Sequence, residues 1–289
     1  MKFIPVDYGY FDFEGRNYVK ITGRDDKGRR ICVVDTCDIY FWAVLKAGLK
    51  EKQIGELVSR VEKIRLDVKG RRTRVEKVEV HEKKFLGRDV KALKIFATNY
   101  KDLHDLADRL VLEEVEKRRG YDLGFVSHYI IEKKIVPLAW YEIECNVLSG
   151  TEEFGGIASG MDVDICVKLD SAREMKGEEF APRVLAFDIE TDEFQIGKGR
   201  ILMVSLVSEG FKKVITWKKP KKKLELDFVE YVNDESELIE RFVDYVAKLA
   251  PDFLVGYFSD GFDMPYLKAG GCKSREARFG AERKPAGFS

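Results

Sequence analysis

A short apolar run that ends in two carboxylates most constrains what this chain can fold into. Residues 184–187, with the sequence VLAF, lead directly into Asp188, Ile189 and Glu190. A short continuous apolar run is typical of a strand that is covered on both faces. Asp188 and Glu190 are two residues apart, so their side chains point to the same face of that strand. We therefore expect a central strand that carries an acidic pair at its end.

Two carboxylates side by side at the end of a buried strand repel each other and lose their hydration. A divalent cation between them offsets both costs, because hard cations prefer carboxylate oxygens. The pair therefore indicates one half of a metal site for phosphate chemistry. The alternative is a solvated strand face, since ionisable residues are rarely buried without a partner. The same acidic-x-acidic spacing recurs at 142–144 and 162–164, where the solvated face is the better interpretation.

Composition says little about the binding partners of the protein or its cellular compartment. Lys+Arg and Asp+Glu both number 51, so net charge neither favours nor excludes a polyanionic partner. No signal peptide opens the chain and no apolar run approaches about 18 residues, so we expect neither secretion nor a membrane span and predict a cytoplasmic protein. The cysteines form no C-x-x-C pair and no cluster with histidine, which favours free thiols in a reducing compartment. They are Cys32, Cys37, Cys145, Cys166 and Cys272.

Turn chemistry and periodicity divide the chain into four parts. Residues 1–147 predict a β-rich mixed domain, which opens with an antiparallel meander and contains helices over 50–64, 99–118 and 126–134, the second capped by Asn99. Residues 148–182 predict a linker and a strand that join the domains. Residues 183–268 predict a second domain, and 269–289 an aberrant tail.

The second domain has the element order of a mixed sheet. Three antiparallel strands at 184–190, 201–207 and 212–217 precede a helix over 235–250. A strand at 253–257 then returns beside the first, so that we expect an α/β (α+β) fold built by a crossover helix. Asp263 follows this strand where the next helix begins, and a third carboxylate can thus meet Asp188 and Glu190.

Two motifs in this domain resemble those of a known family. The sequence FDIET at 187–191 and the sequence GYFSDGFDMPY at 256–266 resemble the first and second exonuclease motifs of archaeal family B DNA polymerases. Segments 38–45, 82–88 and 129–138 are similar to the N-terminal domain of that family. The likeness covers residues 1 to about 268.

The resemblance implies an RNase H-like 3′→5′ proofreading exonuclease that uses two divalent cations, Mg²⁺ or Mn²⁺. It implies that Asp188, Glu190 and Asp263 are both the metal ligands and the catalytic residues. The implied DNA partners are a single-stranded 3′ end and the template strand, and the first domain and the lysine-rich segment 218–223 would guide the strand electrostatically. The residues expected to contact DNA are Thr191, Tyr257, Phe258 and Phe262.

The chain departs from the family pattern in three ways. Phe258 stands where the second motif usually has Asn. The third exonuclease motif, with its Tyr and further Asp, and the polymerase palm, fingers and thumb have no counterpart, so we expect the second metal to be held weakly. The tail 269–289 has no apolar periodicity, and we expect Gly270-Gly271 to end the preceding helix and the tail to be disordered.

Three functions are compatible with these residues. The chain is the N-terminal part of a DNA-directed DNA polymerase, inactive alone and completed by a separately encoded C-terminal chain. Alternatively, it is a non-catalytic DNA-binding remnant of a truncated or frameshifted polymerase gene. A standalone nuclease is the weakest of the three, because a site that lacks its last carboxylate should bind the second metal poorly.

Overall fold

The computed structural model describes residues 1–150, 152–220 and 226–282, with side chains as far as Cys272. The chain divides into two compact units, Met1–Phe180 and Ala181–Ser289. Both units mix helices with sheets, which confirms the α/β (α+β) class. Among the described residues, no helix combines the length and the apolar character needed to cross a membrane.

The first unit contains ten strands and three α-helices. The strands are β1 (Lys2–Phe13), β2 (Arg16–Arg24), β3 (Arg30–Asp35), β4 (Tyr40–Leu45), β5 (Arg65–Val68), β6 (Arg71–Phe85), β7 (Arg88–Ala97), β8 (Val115–Arg119), β9 (Tyr141–Val147) and β10 (Ile165–Glu174), and the helices are α1 (Glu51–Val61), α2 (Leu103–Asp108) and α3 (Phe125–Lys133).

A closed barrel with the order β1-β2-β3-β10-β9 forms one half of this unit. The β1–β2 hairpin turns through Glu14 and Gly15, which both have positive φ, as a two-residue hairpin turn requires. Strand β10, which lies within the predicted linker-and-strand segment 148–182, pairs antiparallel with β9 and parallel with β3. In the parallel pair Cys166 lies opposite Cys32.

A five-stranded sheet with the order β5-β6-β7-β4-β8 forms the other half. Phe41 on β4 and Leu93 and Ile95 on β7 of this sheet are fully buried. Helix α1 buries Ile54, Leu57 and Val61, one face of the predicted amphipathic helix. The aromatic strand predicted at 38–42 is therefore mainly part of the core.

The helix predicted over 99–118 is wrong beyond Asp108. Asn99 does cap the segment, because its side chain accepts a hydrogen bond from the Lys101 backbone N–H at 3.0 Å. A short 3-10 helix at Tyr100–Asp102 and then α2 follow, but the chain continues as β8, which pairs antiparallel with β4. Tertiary pairing along a sheet edge outweighs the helical spacing of the leucines.

In the part of the chain that the structure describes, the second unit is a single mixed sheet with two α-helices. The elements are β11 (Val184–Thr191), β12 (Ile201–Ser208), β13 (Phe211–Thr216), β14 (Val229–Tyr231), α4 (Glu235–Leu249), β15 (Phe253–Val255) and α5 (Asp263–Glu282). The strand order is β14-β13-β12-β11-β15, with β11 antiparallel to β12 and parallel to β15. The crossover helix α4 begins at Glu235, and the Asp234 side chain caps it by accepting a hydrogen bond from the Glu237 backbone N–H. The predicted order of three antiparallel strands, a helix and a strand beside the first is confirmed.

The central strand β11 is covered on one face only, so the expectation of two covered faces is wrong. Leu185, Phe187 and Ile189 are buried in a core shared with Leu238 and Phe242 of α4 and Tyr266 and Leu267 of α5. The alternate residues of β11 are exposed, including Asp188 and Glu190. Both helices thus contribute to the same core, and the acidic pair lies on the open face of the sheet.

The helix break expected at Gly270-Gly271 is also wrong, since α5 runs through both glycines to Glu282. A Cβ at Gly270 would lie 2.8 Å from Ile239 Cδ1 of α4, whereas a Cβ at Gly271 would meet nothing within 4 Å. The first glycine thus permits a close approach of α5 to α4, which favours the helix despite the poor helix propensity of glycine. Residues 283–289 of the predicted tail lie outside the described residues.

Candidate functional site

Strand β11 presents its two carboxylates at the end nearest the following loop. Asp188 lies opposite Ser205 on β12, and Glu190 lies opposite Met203. Both acidic residues are exposed, on the same face of the strand, as the two-residue spacing predicts. They are therefore accessible to a ligand that approaches the open face of the sheet.

Asp263 reaches this strand from the first turn of α5. The chain leaves β15 at Gly256, where a Cβ would lie 3.0 Å from the Phe187 carbonyl oxygen, so the connection passes close to β11. It then turns, and the Met264 backbone N–H donates to the Ser259 carbonyl at 2.9 Å. This turn brings the Asp263 carboxyl group near the Ile189 backbone N–H on β11, which lowers the pKa of that carboxyl group.

The Asp263 carboxyl group lies in an unfavourable electrostatic environment for an anion. Its side chain is buried, with 2% of the residue exposed. Burial is the largest cause that raises its pKa, and repulsion from the Asp188 carboxylate raises it further. Backbone N–H groups lower the pKa again, but less than the other two effects raise it. Asp188 is thus close enough to Asp263 for its charge to raise the pKa of the Asp263 carboxyl group.

A divalent cation between Asp188 and Asp263 would offset both the burial and the repulsion. The donor set fits Mg²⁺ or Mn²⁺, because both side chains offer carboxylate oxygens. Over the described ranges, no three His, Cys, Asp or Glu side chains are arranged so that they could hold a metal ion. Coordination by Asp188, Glu190 and Asp263 together therefore stays a prediction.

The loop that follows β11 is fixed by α5, a feature that sequence reasoning missed. Tyr266 is 1% exposed, and its hydroxyl donates to the Glu193 carbonyl at 2.7 Å. The Arg200 backbone N–H donates to Asp192 Oδ1 at 2.7 Å and closes the base of the loop. A Cβ at Gly199 would lie 2.5 Å from the Tyr266 hydroxyl, so this position requires glycine. The Gly197-Lys198-Gly199 turn was the available sequence signal, but it did not reveal its partner on α5.

The four residues expected to contact DNA differ in how far they are exposed. Tyr257 is 95% exposed and Phe258 is 72% exposed, on the loop between β15 and α5. Phe262 is partly buried and packs against Tyr266 with ring centroids 5.4 Å apart. Thr191 is partly buried at the end of β11, and its hydroxyl donates to the Glu193 carbonyl at 3.0 Å. Only the first two offer aromatic rings freely to a ligand.

Phe258 occupies a backbone conformation that suits a different residue. Its φ is +57°, in the left-handed region that Gly and Asn adopt most readily. Its ring lies over Gly261, where a Cβ would come within 2.3 Å of Phe258 Cζ. The structure thus gives a conformational reason for the Asn that the family pattern has at this position.

The basic segment after β13 is only partly described. The Lys218 ammonium lies 4.0 Å from the centroid of the Trp217 ring, a cation–π contact at the end of the strand. The Trp217 indole N–H donates to the Ile201 carbonyl at 2.7 Å and so holds the ring against β12. Lys221, Lys222 and Lys223 lie outside the described residues.

The comparisons with known proteins agree with these features. Residues 116–271 match the model for the exonuclease domain of DNA polymerase family B. The chain is 29% identical over 271 residues to a DNA polymerase of Thermococcus kodakarensis and 28% identical over 270 residues to one of Pyrococcus glycovorans. Each alignment covers 91% of this chain, but 13% and 28% of the respective relative.

A solved structure gives the same result at the level of the fold. The family B DNA polymerase from the hyperthermophilic archaeon Pyrobaculum calidifontis matches with a TM-score of 0.66 and 27% sequence identity. The match covers 96% of this chain and 33% of the polymerase, so the chain spans about a third or less of the length of these three relatives. On the family match over more than half of its residues, the chain belongs to the family B DNA polymerases, and residues 116–271 correspond to the exonuclease domain of that family.

Proposed function

We propose that the second unit binds the 3′ end of single-stranded DNA and carries part of the metal site of a 3′→5′ exonuclease. The observation that carries this proposal is the buried Asp263 carboxyl group beside Asp188. Two neighbouring carboxylates, of which one is buried, are costly for folding, and a bound cation would offset that cost. Membership of the polymerase family supplies the substrate class.

Asp188 and Asp263 would hold a divalent cation, Mg²⁺ or Mn²⁺, and Glu190 would add a third carboxylate from the same face of β11. Divalent cations at such sites lower the pKa of water and offset the charge that develops on a scissile phosphate. Three carboxylates supply too few oxygens for two cations, which usually take about six ligands each. We therefore expect one cation to bind well and the second to bind weakly.

Tyr257 and Phe258 would stack on the bases near the 3′ end. Stacking on an exposed ring contributes about 1–3 kcal/mol per base and tolerates any sequence, which suits an enzyme that removes every nucleotide. Thr191 follows Glu190 in sequence, Phe262 precedes Asp263, and both would contact the terminal nucleotide. Lys218 and its neighbours would attract the phosphate backbone, with a strong dependence on salt.

The second candidate function is DNA binding without catalysis. This function is favoured because, within the described part of the chain, no group of three His, Cys, Asp or Glu side chains is arranged to hold a metal ion. A separately encoded C-terminal polymerase chain that supplied further carboxylates would convert this state into the nuclease. The polymerase reaction itself is not expected from these two units.

A nuclease assay on 3′-labelled single-stranded DNA with Mg²⁺ or Mn²⁺ separates the candidates. The chain should bind the DNA and degrade it slowly or not at all, and degradation should increase when the C-terminal part of a related polymerase is added. Asp188→Asn and Asp263→Asn should abolish that activity. Asp162→Asn, in an acidic-x-acidic pair outside the site, is the matched control and should leave it unchanged.

Metal binding gives an independent measurement. Mn²⁺ should raise the melting temperature of the chain, and the increase should disappear in Asp263→Asn but persist in Asp162→Asn. DNA binding without any Mn²⁺ effect or degradation would favour the non-catalytic function. Rapid degradation by the isolated chain would contradict the expectation that the second cation is weakly held.

A further inference from the structure

Two cysteines lie side by side where the barrel of the first unit closes. Cys32 on β3 and Cys166 on β10 are direct partners in the parallel register of these strands. Both residues are buried, with 0% and 5% of their surface exposed. Their thiol groups are close enough for each to shift the pKa of the other. Nothing in the proposed nuclease function uses this pair.

We propose that Cys32 and Cys166 form a modification site, at which reversible oxidation to a disulfide joins β3 to β10 covalently. Neighbouring strands lie about 4.8 Å apart, and directly paired residues of parallel strands point to the same face. Disulfides span Cα separations of roughly 4.4–6.8 Å. The two thiols therefore have the separation and orientation that the bond requires.

The surroundings of the pair favour the disulfide over other uses of a dithiol. Both cysteines belong to a small apolar cluster with Val34 and Leu148, and among the described residues no third His, Cys, Asp or Glu joins them in a group that could hold a metal ion. The chain has three other cysteines in the described residues, and all lie elsewhere. Cys145 Sγ, for example, lies 3.6 Å from Met1 Sδ. The pair on β3 and β10 is thus the one that the fold itself brings together.

Each thiol also changes the acidity of the other. The neighbouring Cys32 thiol and the Val167 backbone N–H lower the pKa of Cys166. The Cys166 thiol and burial raise the pKa of Cys32.

The oxidant is a small-molecule disulfide such as oxidised glutathione. The reaction takes place during refolding, before the barrel buries both side chains. The thiolate of one cysteine attacks one sulfur of the small disulfide, forms a mixed disulfide and releases one small thiolate, which takes up the proton that this cysteine lost. The thiol of the other cysteine then loses its proton and attacks the protein sulfur of the mixed disulfide, and the second small thiolate leaves and is protonated. The protein loses two protons and two electrons, and the small disulfide is reduced to two thiols.

The bond would close a large loop, because Cys32 and Cys166 are far apart in sequence. In the chain-entropy account, a disulfide destabilises the unfolded chain more as the enclosed loop lengthens. For a unit of this size, the usual stabilisation corresponds to an increase in melting temperature of roughly 5–15 °C. The oxidised chain should therefore melt well above the reduced chain.

The test is to refold the full chain with oxidised glutathione or with dithiothreitol and to count the thiols in denaturant. Oxidation should lower the count from five to three, and peptide mapping should recover one cross-linked species that contains Cys32 and Cys166. The melting temperature should rise on oxidation and return on reduction. The same shift should be absent in Cys32→Ala/Cys166→Ala.

A second variant keeps the test decisive if that substitution unfolds the barrel. Cys37→Ala/Cys145→Ala/Cys272→Ala retains only the proposed pair, and oxidation should remove both remaining thiols without forming a dimer. Glutathione attached to Cys272 alone, a cross-link between other cysteines, or an unreacted pair in this triple variant would each overturn the proposal. Loss of both thiols within one monomer would support it.

Discussion

Replacing Tyr266 with Phe tests how the loop beside the acidic pair is held in place. Tyr266 is 1% exposed, and its hydroxyl donates to the Glu193 carbonyl across a distance of 2.7 Å. The substitution removes one oxygen atom and leaves the ring, which packs against Phe262, where it is. The change therefore isolates the hydrogen bond from the hydrophobic contact.

The expected cost follows from what remains after the substitution. An intramolecular hydrogen bond contributes about 0.5–1.5 kcal/mol net. After the substitution the Glu193 carbonyl keeps the Thr191 hydroxyl as a donor, and water can reach the exposed loop surface around Glu193. We therefore expect Tyr266→Phe to lower the free energy of unfolding by about 0.5–1.5 kcal/mol.

Urea denaturation gives the overall cost, and hydrogen exchange followed by mass spectrometry gives its location. Peptides that cover 191–200 should exchange faster in Tyr266→Phe, while peptides from the barrel of the first unit should be unchanged. Tyr245→Phe is the matched control. Its hydroxyl donates to Glu230 Oε2 at 2.6 Å, but that carboxylate is partly exposed and can turn to water, so the cost should be smaller. Unchanged exchange at 191–200, or a larger cost in Tyr245→Phe, would refute this account of the loop.

Three further outcomes are expected. Gly271→Ala should raise the free energy of unfolding by about 0.5–1 kcal/mol in urea denaturation, because alanine has the higher helix propensity and its Cβ would meet nothing within 4 Å. Gly270→Ala should raise it less, because its Cβ would lie 2.8 Å from Ile239 Cδ1. The reverse order would contradict the packing of α5 on α4. Phe258→Asn should stabilise the chain by roughly 1 kcal/mol in the same assay, because Asn tolerates the φ of +57° better than Phe. Burial lowers the pKa of His128 below 6.5 despite its hydrogen bond to the Asp38 carbonyl. As the pH falls, His128 is therefore protonated in the unfolded chain before it is protonated in the folded chain. The free energy of unfolding should fall as the pH drops through about 6.5 and stay constant above it. His128→Gln should remove most of that dependence in melting curves recorded between about pH 5 and 8.

The sequence predicted the second unit well because its signals are local and strong. The apolar run into Asp188 specifies the first strand, and the helix predicted over 235–250 specifies the crossover. Their order leaves few topologies, and the strand at 253–255 pairs with the first as expected. The meeting of Asp263 with Asp188 and Glu190 at one metal site stays a prediction.

The errors share one cause, which is that the decisive contacts are distant in sequence. The leucine spacing after Asn99 fits a helix, but β4 recruits residues 115–119 into its sheet. Gly270 looks like a helix breaker until Ile239 of α4 is seen beside it. The apolar residues of β11 do not reveal which face the helices will cover, because a continuous apolar run carries no periodicity.

The barrel of the first unit has a consequence for synthesis on the ribosome. Strand β3 is complete at Asp35, but its partner β10 begins only at Ile165, about 130 residues later. At typical elongation rates of about 5–20 residues per second, the free edge of β3 waits for roughly 7–26 s before its partner emerges. During that interval the free edge of β3 can pair with other nascent chains. The yield of folded protein in a cell should therefore depend strongly on chaperones and on translation speed, even if the finished fold is stable.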